Sequence, residues 1–166
     1  DNNTAVGTVE LYNGSSWTEV ADLSSSRRSV GAIGTSTAAI SAAGFTPPSA
    51  YSTNVESWNG SSWSEVAEMN TSRAQSSVAG TQTAGLMCGG ETDDAQAKTE
   101  DWNGTAWTEV GDLSTGRSIV SGANAGPSSA TWLQGGYISG QSPNAYTTVL
   151  TEEWSFVHAI KTVTTS

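Results

Sequence analysis

The 166-residue chain reads as an all-β protein made of tandem copies of one four-stranded unit. Three observations predict it. A turn phrase recurs as Tyr12-Asn13-Gly14-Ser15-Ser16-Trp17, Trp58-Asn59-Gly60-Ser61-Ser62-Trp63 and Trp102-Asn103-Gly104-Thr105-Ala106-Trp107, its second Trp returning after 46 and then 44 residues. Ser and Thr together number 48 beside 18 glycines, a composition suited to strands and turns. Helical periodicity is absent throughout. Self-similarity at such a period marks a supersecondary unit copied in tandem.

The elements follow from aligning the copies. Residues 8–13 and 16–20 would be the third and fourth strands of an opening half unit. First strands are expected over 29–35, 75–81 and 118–123, where large side chains are few. Second strands are expected over 38–44, 84–90 and 130–136, each ending in a glycine, at Gly44, Gly90 and Gly136. Third strands carry a Glu-x-aromatic phrase, with Glu10, Glu56, Glu100 and Glu152 in register. The Asn-Gly pair then predicts a tight two-residue hairpin turn, its positive φ angles supplied by both residues, into a fourth strand such as 62–66. An apolar step at Leu23, Met69 and Leu113 precedes an Arg ten residues after each second Trp: Arg27, Arg73 and Arg117. The repeat domain is placed at 1–156, with a half unit at 8–20 and units at about 27–67, 73–110 and 117–156. Residues 157–166 would be a divergent last strand or a linker to a further segment.

This order of Glu-x-aromatic, turn, Trp, apolar residue, Arg and a strand ending in glycine resembles the kelch motif over residues 8–156. The resemblance implies a kelch-like β-propeller of the galactose-oxidase central-domain type. The Ser/Thr/Asn-rich style is similar to kelch-like repeats of bacteriophage virion and tail proteins. About three and a half blades would result, too few for a ring on their own. Small first strands would then line a crowded axis, and the second Trp of each turn phrase would fill the widening gap between blades. The half unit would leave an unpaired edge, so self-association or further blades are expected.

Net charge −10 argues against nucleic acid and against an anionic membrane surface. No apolar run reaches membrane-spanning length and no signal peptide is visible, which predicts no membrane insertion. A start at Asp1 suits a processed product, an excised domain or the ordered part of something longer. Cys88 is the single cysteine and His158 the single histidine, so neither a disulfide framework, a metal cluster nor a catalytic triad is expected, and no cofactor is implied.

The repeated Trp17, Trp63, Trp107, Arg27, Arg73, Arg117, Gly44, Gly90 and Gly136 read as scaffold, because every copy has them. Binding is expected where the copies differ, in the loops between second and third strands over 45–52, 91–98 and 137–147. Phe45, Tyr51, Asp93, Asp94, Tyr137 and Tyr146, with the unrepeated Arg28, are the candidate ligand-binding residues. Rings against sugar faces and carboxylates accepting hydroxyls suit glycan or protein recognition. Asp93-Asp94 also invites a calcium reading, but no further ligand is spaced with the pair. The expected function is a non-enzymatic binding module, extracellular or on a virion surface, recognising a surface glycan or a structural partner. A purely structural repeat that assembles into a ring or fibre is the alternative. A glycan-active enzyme is the least favoured reading, because the Asp of a sialidase-type box is replaced by Trp58 and Trp102.

Overall fold

The structure is a computed structural model and describes residues 4–119, 121–122, 130–138, 151–155 and 161–163. Tyr146 and His158 lie outside the described residues. The described residues form sixteen short strands and no helix, so the chain is all-β. β1 (Glu10–Tyr12) and β2 (Trp17–Glu19) make a lone hairpin. β3 (Gly31–Thr35) and β4 (Ala38–Ala42) are followed by a small hairpin, β5 (Phe45–Thr46) and β6 (Ala50–Tyr51). β7 (Val55–Trp58) and β8 (Trp63–Glu65) complete an antiparallel sheet of order β3-β4-β7-β8. A second sheet repeats it with β9 (Ser77–Thr81), β10 (Ala84–Cys88), β11 (Thr99–Trp102) and β12 (Trp107–Glu109). A third does so with β13 (Ser121–Gly122), β14 (Ala130–Gln134), β15 (Thr151–Ser155) and β16 (Lys161–Val163). This arrangement is compatible with a β-propeller-like fold, and the described residues close no ring.

The core lies between the sheets. Ile33, Ile40, Val55, Met69, Val78, Met87 and Trp102 form a cluster between the first two. Leu86, Cys88, Leu113 and Leu133 form another between the second and third. Met69 and Leu113 come from the apolar step before each Arg, so a connecting segment supplies a plug for each interface. The first strands pack on one another in succession, β3 against β9 and β9 against β13. Their lack of bulk follows from this closeness: a Cβ on Gly31 would sit 2.6 Å from Met87 Cε and 2.6 Å from Val78 Cγ1.

A buried ion pair repeats in each sheet. Arg27 meets Glu56 at 2.8 Å and Arg73 meets Glu100 at 3.2 Å, while Arg117 and Glu152 form the third pair. In each pair the other carboxylate oxygen accepts a backbone N–H from the connection arriving from the preceding sheet. Ser24 donates to Glu56 at 2.8 Å, Asn70 to Glu100 at 2.8 Å and Ser114 to Glu152 at 2.9 Å. A buried charge pair is tolerable only when such extra hydrogen bonds repay its desolvation. Burial still pulls the Arg73 guanidinium below its usual value, against the opposing field of Glu100.

Three local expectations are corrected. The 45–52 segment is not a plain loop: Phe45 pairs with Tyr51 across β5–β6, their rings 5.2 Å apart edge to face. In the turns only the glycine has positive φ, at +101° for Gly14 and +95° for Gly60 and Gly104. Glycine first and an ordinary residue second is the II′ style of loop, with Gly-Ser or Gly-Thr at its centre rather than Asn-Gly. The Asn instead caps it, Asn59 Oδ1 accepting from the Ser61 and Ser62 amides at 2.9 and 3.0 Å. Finally, the first aromatic of the turn phrase is the deeper one in the two complete units. Trp58 and Trp102 are buried and donate from their indole nitrogens to Ser36 and Gln82 carbonyls, at 3.0 and 2.8 Å. Trp63 is only half-buried and Trp17 is 65% exposed, whereas Trp107 is buried. A planar indole with one donor goes deep where the preceding hairpin turn offers it a carbonyl.

Candidate functional site

The start of a first strand and the end of a second strand meet at one end of each sheet, and the same backbone pairing recurs there. Arg28 pairs with Phe45, Ala74 with Glu91 and Ser118 with Tyr137. The residues following Arg28, Ala74 and Ser118 carry left-handed backbone, with φ of 55° at Ser29, 57° at Gln75 and 52° at Ile119. This strained conformation lets each hydrogen-bond its neighbour in the next unit: Gln75 N–H to the Ser29 carbonyl and Ile119 N–H to the Gln75 carbonyl, both at 3.1 Å. The three units are thereby stitched edge to edge at this end.

Side chains on that frame differ from copy to copy. Arg28 stacks its guanidinium 4.6 Å from the Phe45 ring centroid. Tyr51 stands against Phe45, and a small cavity of about 90 Å³ opens among Arg28, Phe45, Tyr51, Gln75 and Glu91. An adjoining groove of about 430 Å³ is lined by Gln75, Glu91, Ile119, Gly136 and Tyr137. Gln75 and Glu91 belong to both, and Gln75 Nε2 donates to Glu91 Oε1 at 2.5 Å, forming a polar septum between them. Ile119, 68% exposed, lines the groove. The Tyr51 phenol is pushed above its usual value, first by burial and then by Glu91 and Asp93, with Arg28 opposing.

Arg28, Phe45 and Tyr51 therefore line the smaller cavity and Tyr137 the groove, two adjoining depressions that share Gln75 and Glu91. Asp93 and Asp94 are exposed on the neighbouring 91–98 loop and line neither. The Asp94 carbonyl is occupied within its own loop, by Thr92 N–H at 3.0 Å and Gln96 Nε2 at 2.9 Å. No group of three or more His, Cys, Asp or Glu suited to a metal ion occurs among the described residues. Arg27, Arg73 and Arg117 are buried beneath the site in their ion pairs. Gly44 and Gly90 hold φ of +104° and +105° at its rim, and Gly136, at +107°, lines the groove.

Sequence reasoning missed Gln75, Glu91 and Ile119. The signal was present, because they occupy repeat positions that change identity between copies (Ser29, Gln75, Ile119 and Phe45, Glu91, Tyr137) while their neighbours repeat. A second depression of about 430 Å³ lies at the turns joining first to second strands, among Gly34, Thr35, Ala38, Gly80 and Thr81. Gln82 and Thr83 complete its lining, which carries no charge.

No protein-family profile matches the chain, and no curated protein matches it by sequence. Its fold is nonetheless found among solved structures. The structure of YjhT superposes with a TM-score of 0.68 at 13% identity, over 89% of this chain and 49% of that one. The likeness is one of fold, and the chain spans about half the length of the structure it matches.

Proposed function

We propose that the chain is a kelch-like β-propeller segment serving as a non-enzymatic recognition module, extracellular or on a virion surface, whose ligand is a surface glycan. The observation that carries this reading is the pair of adjoining depressions built from three units, around which a guanidinium, a carboxylate, an amide and aromatic rings are gathered. Tyr51 and Tyr137 supply flat apolar faces, while Glu91 and Gln75 supply an acceptor and a donor held in place by each other. That combination suits a sugar, which has both an apolar ring face and a rim of hydroxyls. The variable positions sit on a repeated backbone frame, so the chemistry can change without the scaffold.

The test is a glycan array probed with the intact chain and with Tyr51→Ala, Glu91→Gln and Tyr137→Ala together. Binding lost in the triple variant, with its melting temperature unchanged, supports the reading. Binding retained, or no glycan bound by the intact chain, refutes it. The alternative of a structural repeat that assembles with itself draws on one observation, the exposure of Tyr12 and Trp17 on the opening hairpin and of Val6 just before it. Concentration-dependent assembly without any ligand would favour it.

A further inference from the structure

We propose that the glycan recognised at the cavity between Arg28 and Glu91 is zwitterionic, carrying an anionic group that meets Arg28 and, a few bonds away, an ammonium that meets Glu91. The inference rests on the glycan reading of this site and narrows its ligand class.

Arg28 and Glu91 line the same cavity of about 90 Å³, yet no ion pair joins them. Among the described side chains, Arg27, Arg73, Arg117 and Lys98 each hold a carboxylate, and Arg28 holds none. No described residue accepts a hydrogen bond from its guanidinium, which rests on the Phe45 ring. Glu91 takes Gln75 Nε2 on Oε1 at 2.5 Å, and no described residue donates to its Oε2.

Opposite charges facing one small cavity collapse into a pair unless each is held. Here both are. The Arg28 backbone exchanges two hydrogen bonds with Phe45, at 3.1 and 2.8 Å, and its side chain is stacked on that ring. The Glu91 backbone exchanges two with Ala74, at 3.0 and 2.8 Å, and its side chain is held by Gln75. The result is an anion site and a cation site fixed in advance, so a ligand with both signs needs little reorganisation of the protein. A neutral sugar leaves both charges without a counter-ion. A purely acidic sugar gains Arg28 but meets the Glu91 carboxylate, and an amino sugar meets the reverse problem.

Tyr51 stands within the field of both charges. After burial, Glu91 and Asp93 push its phenol up while Arg28 opposes them. Its ring also offers an ammonium a π face beside the Glu91 carboxylate. A space of about 90 Å³, roughly that of three waters, takes a charged substituent and no sugar ring. The ring then lies in the adjoining groove of about 430 Å³, against Ile119 and Tyr137.

The test is calorimetry of the intact chain with four matched probes. They are a methyl hexoside and its derivatives bearing, at the primary hydroxyl position, a phosphate, an amine or a phosphoethanolamine. A contact with a partly exposed charge is worth roughly fivefold in affinity. The phosphoethanolamine probe should therefore bind roughly fivefold tighter than either singly charged probe and roughly twentyfold tighter than the parent. Arg28→Gln should bring it level with the amine probe, and Glu91→Gln level with the phosphate probe, each at an unchanged melting temperature. The ranking on the intact chain needs no variant, so a variant that folds poorly leaves the test standing. A parent hexoside or singly charged probe that binds as tightly as the phosphoethanolamine probe overturns the inference and leaves the glycan reading in place. So does a preference that both variants retain, or a glycan array whose bound members lack one of the two charges. No binding by any of the four probes, with no glycan bound on the array, overturns the inference and the glycan reading together.

Discussion

Glu56 grips Arg27 at 2.8 Å through one carboxylate oxygen and takes the Ser24 amide at 2.8 Å through the other. Arg27 completes its own shell with the carbonyls of Ala43 and Asn54, both at 2.8 Å. One buried pair thus ties the connection from the preceding hairpin to the second and third strands of the sheet. Removing the acid strands a buried cation, which costs about 3–5 kcal/mol where measured elsewhere. Glu56→Leu should therefore lower stability by about that amount in urea unfolding. Arg27→Met combined with Glu56→Leu should recover most of the loss, because no charge is left unpaired. A single-variant loss below about 1 kcal/mol, the range of an exposed ion pair, would contradict the account.

Trp102 and Trp17 have the same chemistry and opposite surroundings. Trp102 is 2% exposed, with its indole nitrogen bonded to the Gln82 carbonyl, whereas Trp17 is 65% exposed. Trp102→Ala should cost about 3–5 kcal/mol through cavity and lost contacts. Trp17→Ala should change stability by roughly 0.5 kcal/mol or less. Equal losses in thermal melts of the two variants would show that the opening hairpin is as firmly packed as the second sheet.

The strand plan was legible because it rests on local, repeated signals: a turn phrase, a glycine ending each second strand and a Glu-x-aromatic step. The turn was misread in detail, since Asn59 acts through its side-chain carbonyl and leaves the positive φ to Gly60. The depth of Trp58 against Trp63 was not legible either. It depends on the Ser36 carbonyl of a different hairpin accepting the Trp58 indole, a contact that no spacing rule encodes. At the groove, Arg28, Phe45, Tyr51 and Tyr137 stood out as aromatic or unrepeated residues. Gln75, Glu91 and Ile119 did not, because their role comes from a left-handed backbone step and a neighbour one unit away.

Gly90 and Gly14 separate backbone strain from crowding. Both lie at positive φ, +105° and +101°, where any side chain is strained by roughly 1–2 kcal/mol. A Cβ at Gly14 meets nothing within 4 Å, whereas one at Gly90 would lie 2.7 Å from the Ala74 carbonyl and also collide with Ser76 Oγ. Gly14→Ala should then lose only the strain, and Gly90→Ala clearly more, as read from urea midpoints. The same Ala74 carbonyl accepts the Glu91 N–H at 2.8 Å, so Gly90→Ala should also weaken any ligand binding at the groove. Matching losses in the two variants would mean that the rim yields without cost.

Among the described residues, Cys88 carries the strongly shifted titration. It is buried between the second and third sheets, and burial pushes its thiol up to about 12 from an ordinary 9.0, despite the nearby Arg73 and Arg117 charges. Between those values the folded chain keeps a proton that the unfolded chain releases. The stability associated with the protonated thiol is complete below pH 9 and falls as pH rises through the window, by about 1.4 kcal/mol per pH unit. Other groups titrate there too, so the measurement is the difference between wild type and Cys88→Ala in urea unfolding from pH 8 to pH 11. Wild type should lose stability more steeply above pH 9, and at pH 8 its thiol should react with a thiol reagent only after denaturant is added. Parallel pH profiles, or rapid labelling of the native chain, would place Cys88 in contact with solvent and remove it from the core.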